Sequence, residues 1–308
     1  MSVPKIIVIA GPTASGKSGL AIAFAEALNG VVINADSMQV YQDIPILAAA
    51  PSDEDKALVP HKLYGIYDAS VHGNMMDWLN LCRQEITAAR KDNHIPIVVG
   101  GTGLYLETLI KGASPIPETP AEIRKEIASN LKEHGLGFLY EELKKADEST
   151  AARLSANDTT RIRRALEVYC HTKKTMSYWQ AQPLIQFYQK AEFISIYINP
   201  LRDELDSRCR LRFDKMVELG ALEEAKKLLA RHLNQSLPAM HALGVQEFKA
   251  YFEGTCSLEE AIELAKLHTR QYAKRQSTWF NNRFNPDFCY KTCYEGDKNF
   301  VDAVKKAL

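Results

Sequence analysis

Several features are scarce in this chain, and each scarcity narrows what it can be. Its 308 residues contain no apolar run approaching the roughly 20 that a membrane span requires, so a transmembrane protein is not expected. A surplus of one charge is missing too: 38 Lys and Arg face 38 Asp and Glu, so only local clusters can recognise a polyanion. The six cysteines (Cys82, Cys170, Cys209, Cys256, Cys289, Cys293) are scattered over helical and strand patterns, which suits reduced thiols rather than a disulfide framework. Only Cys289 and Cys293 lie close together, and without nearby histidines that pair makes a poor zinc site. The N-terminal run MSVPK leads straight into an apolar strand, without the charged region, apolar core and cleavage site of a secretion signal. The expectation is a soluble, cytoplasmic chain, large enough for one domain carrying an inserted lobe.

What is present is periodic. The first third alternates apolar runs, KIIVIA (5–10), VVIN (31–34) and IPIVVGG (95–101), with helical patterns at about 16–28 and 76–90. Continuous β-branched runs separated by helices predict an α/β fold, a parallel sheet with helices on both faces. The proline-rich GASPIPETP (112–120) interrupts this pattern, and residues 121–180 read as charged amphipathic helices without strands. The strand signal returns at FISIYI (193–198), followed by helices at about 201–231, 241–252 and 257–283, with DFCYKT (287–292) as an edge strand. The domain reading is therefore a core of 1–112 and 191–308 split by an inserted all-α lobe at 113–190.

Glycine is sparse, 16 in all, so a close match to G-x-x-x-x-G-K-[ST] carries weight. Gly11, Pro12, Thr13, Ala14, Ser15, Gly16, Lys17 and Ser18 supply it, between a predicted strand and a predicted helix. Such a loop turns backbone N–H groups onto a phosphate, Lys17 adds a full positive charge, and Ser18 offers a ligand to Mg2+. It does not say which phosphate: an ATP-binding kinase and a diphosphate-releasing transferase read alike here. Asp36 follows the second strand at the carboxyl edge, where open α/β sheets bind ligands, and on pattern serves equally as a base or a turn cap. VVGGTG brings Thr102 to that same edge, flanked by glycines that permit close backbone approach. Basic and aromatic residues interleave in TRQYAKRQSTWF, where Arg270 and Lys274 suit an RNA backbone, although aromatics at that spacing also suit a core.

In order and spacing, GPTASGKS, ADSMQVY, VVGGTGLYLETL, NDTTRIRRALEVY, RCRLRFDKMVELGALEEAKKL and TRQYAKRQSTWF resemble the tRNA dimethylallyltransferases, also called tRNA isopentenyltransferases, over residues 5 to about 284. The resemblance implies a P-loop nucleotide-kinase-like core whose cradle grips the departing diphosphate of dimethylallyl diphosphate. It implies transfer to the exocyclic amine of the adenosine 3′ of the anticodon, with the helical lobe on the anticodon stem-loop of tRNA. By motif, Asp36 resembles the general base, with Ser37, Met38 and Gln39 touching tRNA. Thr102 and Arg124 fall where substrate is contacted, and Thr160, Arg161, Ile162, Arg163 and Arg164 resemble a tRNA-binding strip. Arg208 and Arg212 resemble an R-x-x-x-R pair serving the diphosphate. Intrahelical pairs Glu204 with Arg208 and Asp206 with Arg210 are the competing reading, and Arg212 lacks such an acid. Two departures stand out: PILAAAPS (45–52) where the family usually has Gly-Thr-Ala-Lys-Pro, and Val245 where it has tyrosine. The working expectation is a monomeric tRNA prenyltransferase. A small-molecule kinase using ATP and a diverged, non-catalytic RNA-binding copy are the rivals.

Overall fold

The computed structural model describes residues 5–306, so the leader reading of residues 1–4 and the last two residues of the core lie outside the described residues. The described chain divides into two compact units, residues 5–110 with 188–306, and residues 111–187. In the first, β1 (Ile6–Ala10) leads into α1 (Lys17–Leu28), β2 (Gly30–Asn34), α2 (Asp53–Leu58), β3 (His61–Lys62), α3 (Met75–Lys91), β4 (Ile95–Gly100) and α4 (Gly103–Lys111). The second unit holds α5 (Ala121–Ala146), α6 (Glu148–Ala151), α7 (Thr159–Thr172) and α8 (Met176–Gln180). The first unit resumes with β5 (Phe193–Ile198), α9 (Arg202–Glu218), α10 (Ala221–Leu229), α11 (Val245–Phe252), α12 (Leu258–Arg283), β6 (Phe288–Tyr290) and α13 (Lys298–Lys305).

The strands pair in the order β3-β2-β4-β1-β5-β6, all parallel, so every carboxyl end lies along one edge. β1, β2 and β5 are buried at every position, which is why their sequences run apolar rather than alternating. α1 buries Leu20, Ala21, Phe24 and Ala25, one helical face, in a cluster with Ile7, Ile9, Val32 and Ile97 of the sheet and Val301 and Val304 of α13. α3 is capped by Asn74, whose side chain accepts from the Met76 and Asp77 amides, and the Trp78 indole donates to the Asn34 carbonyl at 2.7 Å.

The second unit has its own core of Ile127, Leu139, Leu143, Ile162, Ala165, Leu166 and Val168. Its neck is closed by an antiparallel bridge in which Ala113 and Ile185 exchange N–H···O bonds of 3.1 and 2.8 Å. α5 breaks at Gly135, whose φ of 80° and ψ of 172° are foreign to a helix.

Elsewhere the expected elements shift. The single helix read over 201–231 is two, because Gly220 at φ 102° ends α9 and starts α10. Residues 238–241 form a short 3₁₀ turn, so the helix read from 241 begins at Val245. The unit boundary falls at 187 rather than 190: Tyr188 packs edge-on to Phe193 at 5.7 Å and beneath Arg90.

Candidate active site

The loop from β1 to α1 is a cradle held from several sides. Ala14 (φ 65°) and Gly16 (φ 86°) take left-handed conformations that turn the intervening amides. Gly16 has no room for a side chain, since a Cβ would stand 2.4 Å from the Tyr294 carbonyl oxygen. The Tyr294 amide in turn donates to the Ser15 carbonyl at 3.0 Å. Lys17 lies buried, and its ammonium donates to the Pro12 carbonyl at 3.3 Å. Burial lowers its pKa from 10.5 to about 8; the negative charge of Asp36 works against that fall, and Arg212 adds to it. The Arg212 guanidinium donates to the Thr13 hydroxyl, and burial lowers its pKa too. Among the described residues, Arg212 Nε and Ser15 Oγ are buried without a partner. Cations and unpaired polar atoms thus converge on one loop, the arrangement that an anion completes.

Arg208, one turn before Arg212, donates to the Ala14 carbonyl at 3.2 Å and pairs with Glu295. The competing intrahelical pairs do not form. Glu204 accepts the Cys293 amide, Asp206 pairs with Arg270 of α12 at 2.7 Å, and Arg210 pairs with Glu263 at 3.3 Å. α9 buries Leu205, Cys209, Phe213 and Met216, the stripe expected from spacing, and this sets Arg208 and Arg212 toward the cradle.

Asp36, half-buried, stands two residues beyond β2. Its amide donates to the Asn34 side-chain oxygen at 2.8 Å, and one carboxylate oxygen accepts the Met38 amide at 2.9 Å. Asp36 stands at the carboxyl edge of the sheet, as the cradle does after β1, and its charge acts on Lys17, Arg212 and Tyr272. Burial and then that charge push the Tyr272 phenol up. Thr102 joins this loop directly: its hydroxyl accepts the Ser37 amide at 2.9 Å and lies 3.3 Å from the Ser37 hydroxyl. The glycines of VVGGTG serve close approach, since a Cβ on Gly100 would meet the Ala35 oxygen at 2.0 Å and one on Gly103 the Trp279 ring at 2.2 Å.

Sequence reasoning passed over Gln276. Buried on α12, it accepts the Thr13 amide at 2.8 Å and donates to the Gly101 carbonyl at 2.9 Å. The signal was legible: Ala261, Ala265, Thr269, Ala273, Gln276 and Phe280 form one buried stripe, and an amide on such a stripe requires partners.

Several expected RNA contacts are otherwise engaged. Ile162 has no exposed surface and belongs to the core of the second unit, so its side chain cannot touch RNA. The Arg270 guanidinium is taken up by Asp206, with its Nε buried. The Gln39 amide nitrogen donates to the Ala48 and Ala49 carbonyls at 3.0 and 2.7 Å, bracing the PILAAAPS loop. Arg124 donates to the Thr119 carbonyl and to Glu118, and Arg164 to the Thr119 hydroxyl at 2.8 Å. Arg163 and Arg164 lie 3.6 and 3.9 Å from the carboxylate of buried Glu167. Arg161 stays exposed beside Asp158, the α7 cap, while Thr160 lies on the first turn of α7 and Lys274 on an exposed face of α12. Lys274 lines an open groove of about 530 Å³ with Arg275, Trp279 and Arg283.

A family model described as IPP transferase matches residues 39–283. The chain belongs to the IPP transferase family. It is similar to a tRNA dimethylallyltransferase of Zymomonas mobilis subsp. mobilis, 44% identical over 278 residues that cover 90% of this chain and 88% of that protein. A tRNA dimethylallyltransferase of a Bradyrhizobium species is 42% identical, covering 98% of this chain and 97% of its own. Among solved structures, the full-length tRNA isopentenylpyrophosphate transferase of Bacillus halodurans shares 34% identity at a TM-score of 0.70, over 99% of this chain and 95% of that one. A eukaryotic dimethylallyltransferase acting on tRNA shares 30% identity at a TM-score of 0.83, covering 99% and 77% respectively. The family model begins at Gln39, so the cradle and Asp36 lie outside its match, within the stretch that the Bradyrhizobium relative covers almost in full.

The two departures from the usual IPP transferase pattern meet in one place. Leu47 of the altered loop lies in the same buried cluster as Val245, Phe213 and Phe248, with Ile46, Ala48 and Ala49 packed against it. The loop is further held by Glu224, whose carboxylate accepts the Ile46 and Leu47 amides at 2.9 and 2.8 Å.

Proposed function

We propose that this IPP transferase moves the dimethylallyl group of dimethylallyl diphosphate to the exocyclic N6 of the adenosine adjacent, on the 3′ side, to the anticodon of tRNA. The observation that carries the reading is that the loop carrying Asp36 follows β2 at the same carboxyl edge of the parallel sheet at which the cradle of Lys17 follows β1, the two tied through Ser37, Thr102, Gly101, Gln276 and Thr13. The bond from the prenyl C1 to the diphosphate oxygen breaks, and its electron pair leaves with the diphosphate. The C1–N6 bond forms, and the N6 proton passes to the Asp36 carboxylate. Lys17, Arg212, Arg208 and the loop amides stabilise the negative charge that grows on the leaving group more than that of the bound donor. A positioned carboxylate typically contributes about 10²- to 10⁴-fold by accepting such a proton.

Magnesium fits the donor set as a partner of the diphosphate. Ser18 presents an exposed hydroxyl at the start of α1, and among the described residues no group of three or more His, Cys, Asp or Glu could cage a metal. A hydroxyl with phosphate oxygens and waters is a common magnesium environment. Bound there, the ion would add positive charge beside the leaving group. The tRNA is held in part by cations of the second unit, Arg161 foremost, and by Lys274 of α12. The protein works as a monomer in the cytoplasm, a setting with which its free cysteines agree.

Dimethylallyl diphosphate labelled in the prenyl group, mixed with the protein, Mg2+ and an anticodon stem-loop, should transfer label to the RNA. Phosphate transfer from ATP to a small molecule, with unlabelled RNA, would replace this reading with that of a kinase. RNA binding without either transfer would make the chain a non-catalytic relative.

A further inference from the structure

We infer that Gln276 is a positioning residue that locks the phosphate cradle to the loop carrying the proton acceptor. Its Oε1 accepts the Thr13 amide and its Nε2 donates to the Gly101 carbonyl, at 2.8 and 2.9 Å. The next residue, Thr102, accepts the Ser37 amide, beside Asp36. One side chain therefore links the two halves of the proposed reaction, the departing diphosphate and the deprotonated amine, and in this sense the inference rests on the proposed function.

The chemistry of the position requires an amide. Thr13 N–H is only a donor and Gly101 C=O only an acceptor, so the partner must accept at one atom and donate at the other. A glutamate would set a carboxylate against the Gly101 oxygen and bring negative charge into an anion site. A methionine keeps the length and leaves both backbone groups unpaired. Thr13 is held at its other end as well, since its hydroxyl accepts from Arg212 of α9. The apex of the cradle is thus clamped between α9 and α12.

The same contact explains why position 101 is glycine. No left-handed φ is needed there; instead, a Cβ would stand 2.2 Å from Gln276 Nε2. Gly101 and Gln276 are a matched pair, and this makes the inference separable from simple packing.

In a double-mutant cycle, kcat is measured at saturating donor and stem-loop, together with diphosphate affinity by calorimetry and melting temperature. Gln276→Met should lower kcat by about 10- to 100-fold, the effect of a small misplacement of reacting groups, with the stem-loop KM unchanged. Gly101→Ala should cause a comparable loss by displacing the amide. Combined with Gln276→Ala, which clears the space, Gly101→Ala should add nothing further. Losses that multiply in the double variant, or a Gln276→Met enzyme with unaltered kcat, would overturn the inference. A loss of activity that only tracks a fall in folded fraction would overturn it too. Should the wild-type protein transfer no label, the proposed function fails, while the cycle read in diphosphate affinity still tests the clamp: coupling of Gly101 and Gln276 supports it, and independence refutes it.

Discussion

Lys17 shows how a single residue trades stability for binding. Its pKa in the folded chain, about 8, lies below its ordinary value of 10.5, so the penalty for burying the ammonium is complete below pH 8 and fades as pH rises toward 10.5. Lys17→Met should therefore stabilise the ligand-free protein at neutral pH, by about 3 kcal/mol at most, and so raise its melting temperature, while calorimetry shows diphosphate binding lost. A variant that melts lower would mean that the contact of Lys17 with Pro12 outweighs its burial. The same pKa sets an alkaline limit: the KM for the donor should climb above about pH 8 as the free cradle loses its charge. Asp36 counteracts the fall of the Lys17 pKa, so Asp36→Asn should do two things. It should cut kcat by about 10²- to 10⁴-fold with stem-loop affinity intact, and shift the alkaline limit of diphosphate binding to lower pH. Equal losses in kcat and RNA affinity would contradict the role of base. At this scale the sequence revealed residues whose chemistry is local, such as Lys17 in its motif and Asp36 after its strand. It concealed those whose partners come from distant elements. Arg270 and Asp206 stand 64 residues apart, and Gln276 is 263 from Thr13, separations that no periodicity encodes.

Among elements, the strands of the sheet interior were legible because burial on both faces leaves continuous apolar runs, and α9 because its buried stripe keeps helical spacing. The two-residue β3 and six-residue α2 were not, being too short to establish a period. The division of 201–231 into α9 and α10 turned on one glycine inside an otherwise helical pattern. The altered loop and α11 are the elements where this chain departs from its family's pattern, and their packing suggests that the changes depend on each other. Val245 is fully buried, and Leu47 presses so close to Gly244 that a Cβ there would meet its Cδ2 at 2.7 Å. Val245→Tyr, which restores the usual family residue, should therefore overpack the cluster and destabilise the protein by about 1–3 kcal/mol in urea unfolding. Leu47→Ala in the same chain should recover part of that loss. If Val245→Tyr is neutral by itself, the two departures are independent.

For the whole molecule, a net charge of zero means that RNA affinity must come from where the cations sit rather than from how many there are. Arg163 and Arg164 share the buried Glu167, so replacing either should lower melting temperature together with affinity. Arg161, three-quarters exposed and paired at 3.4 Å with Asp158 on its own helix cap, is the cleaner probe. Arg161→Ala should leave stability unchanged and reduce the slope of log affinity against log salt by about 0.7–0.9, one phosphate contact. The inserted unit can be tested as a whole because it has its own core and because the Ala113–Ile185 bridge draws the two ends of the insertion together. Replacing residues 111–187 by a short glycine-serine linker should leave a cooperatively folding sheet unit that still binds diphosphate, since every cradle contact described comes from the first unit. The shortened protein should bind the stem-loop far more weakly and with a flatter salt dependence. Retention of the full slope would move the RNA-binding charge onto the sheet unit, with the exposed face of α12 around Lys274 and Arg275 as its site; loss of diphosphate binding would show that the cradle needs the lobe to hold its shape.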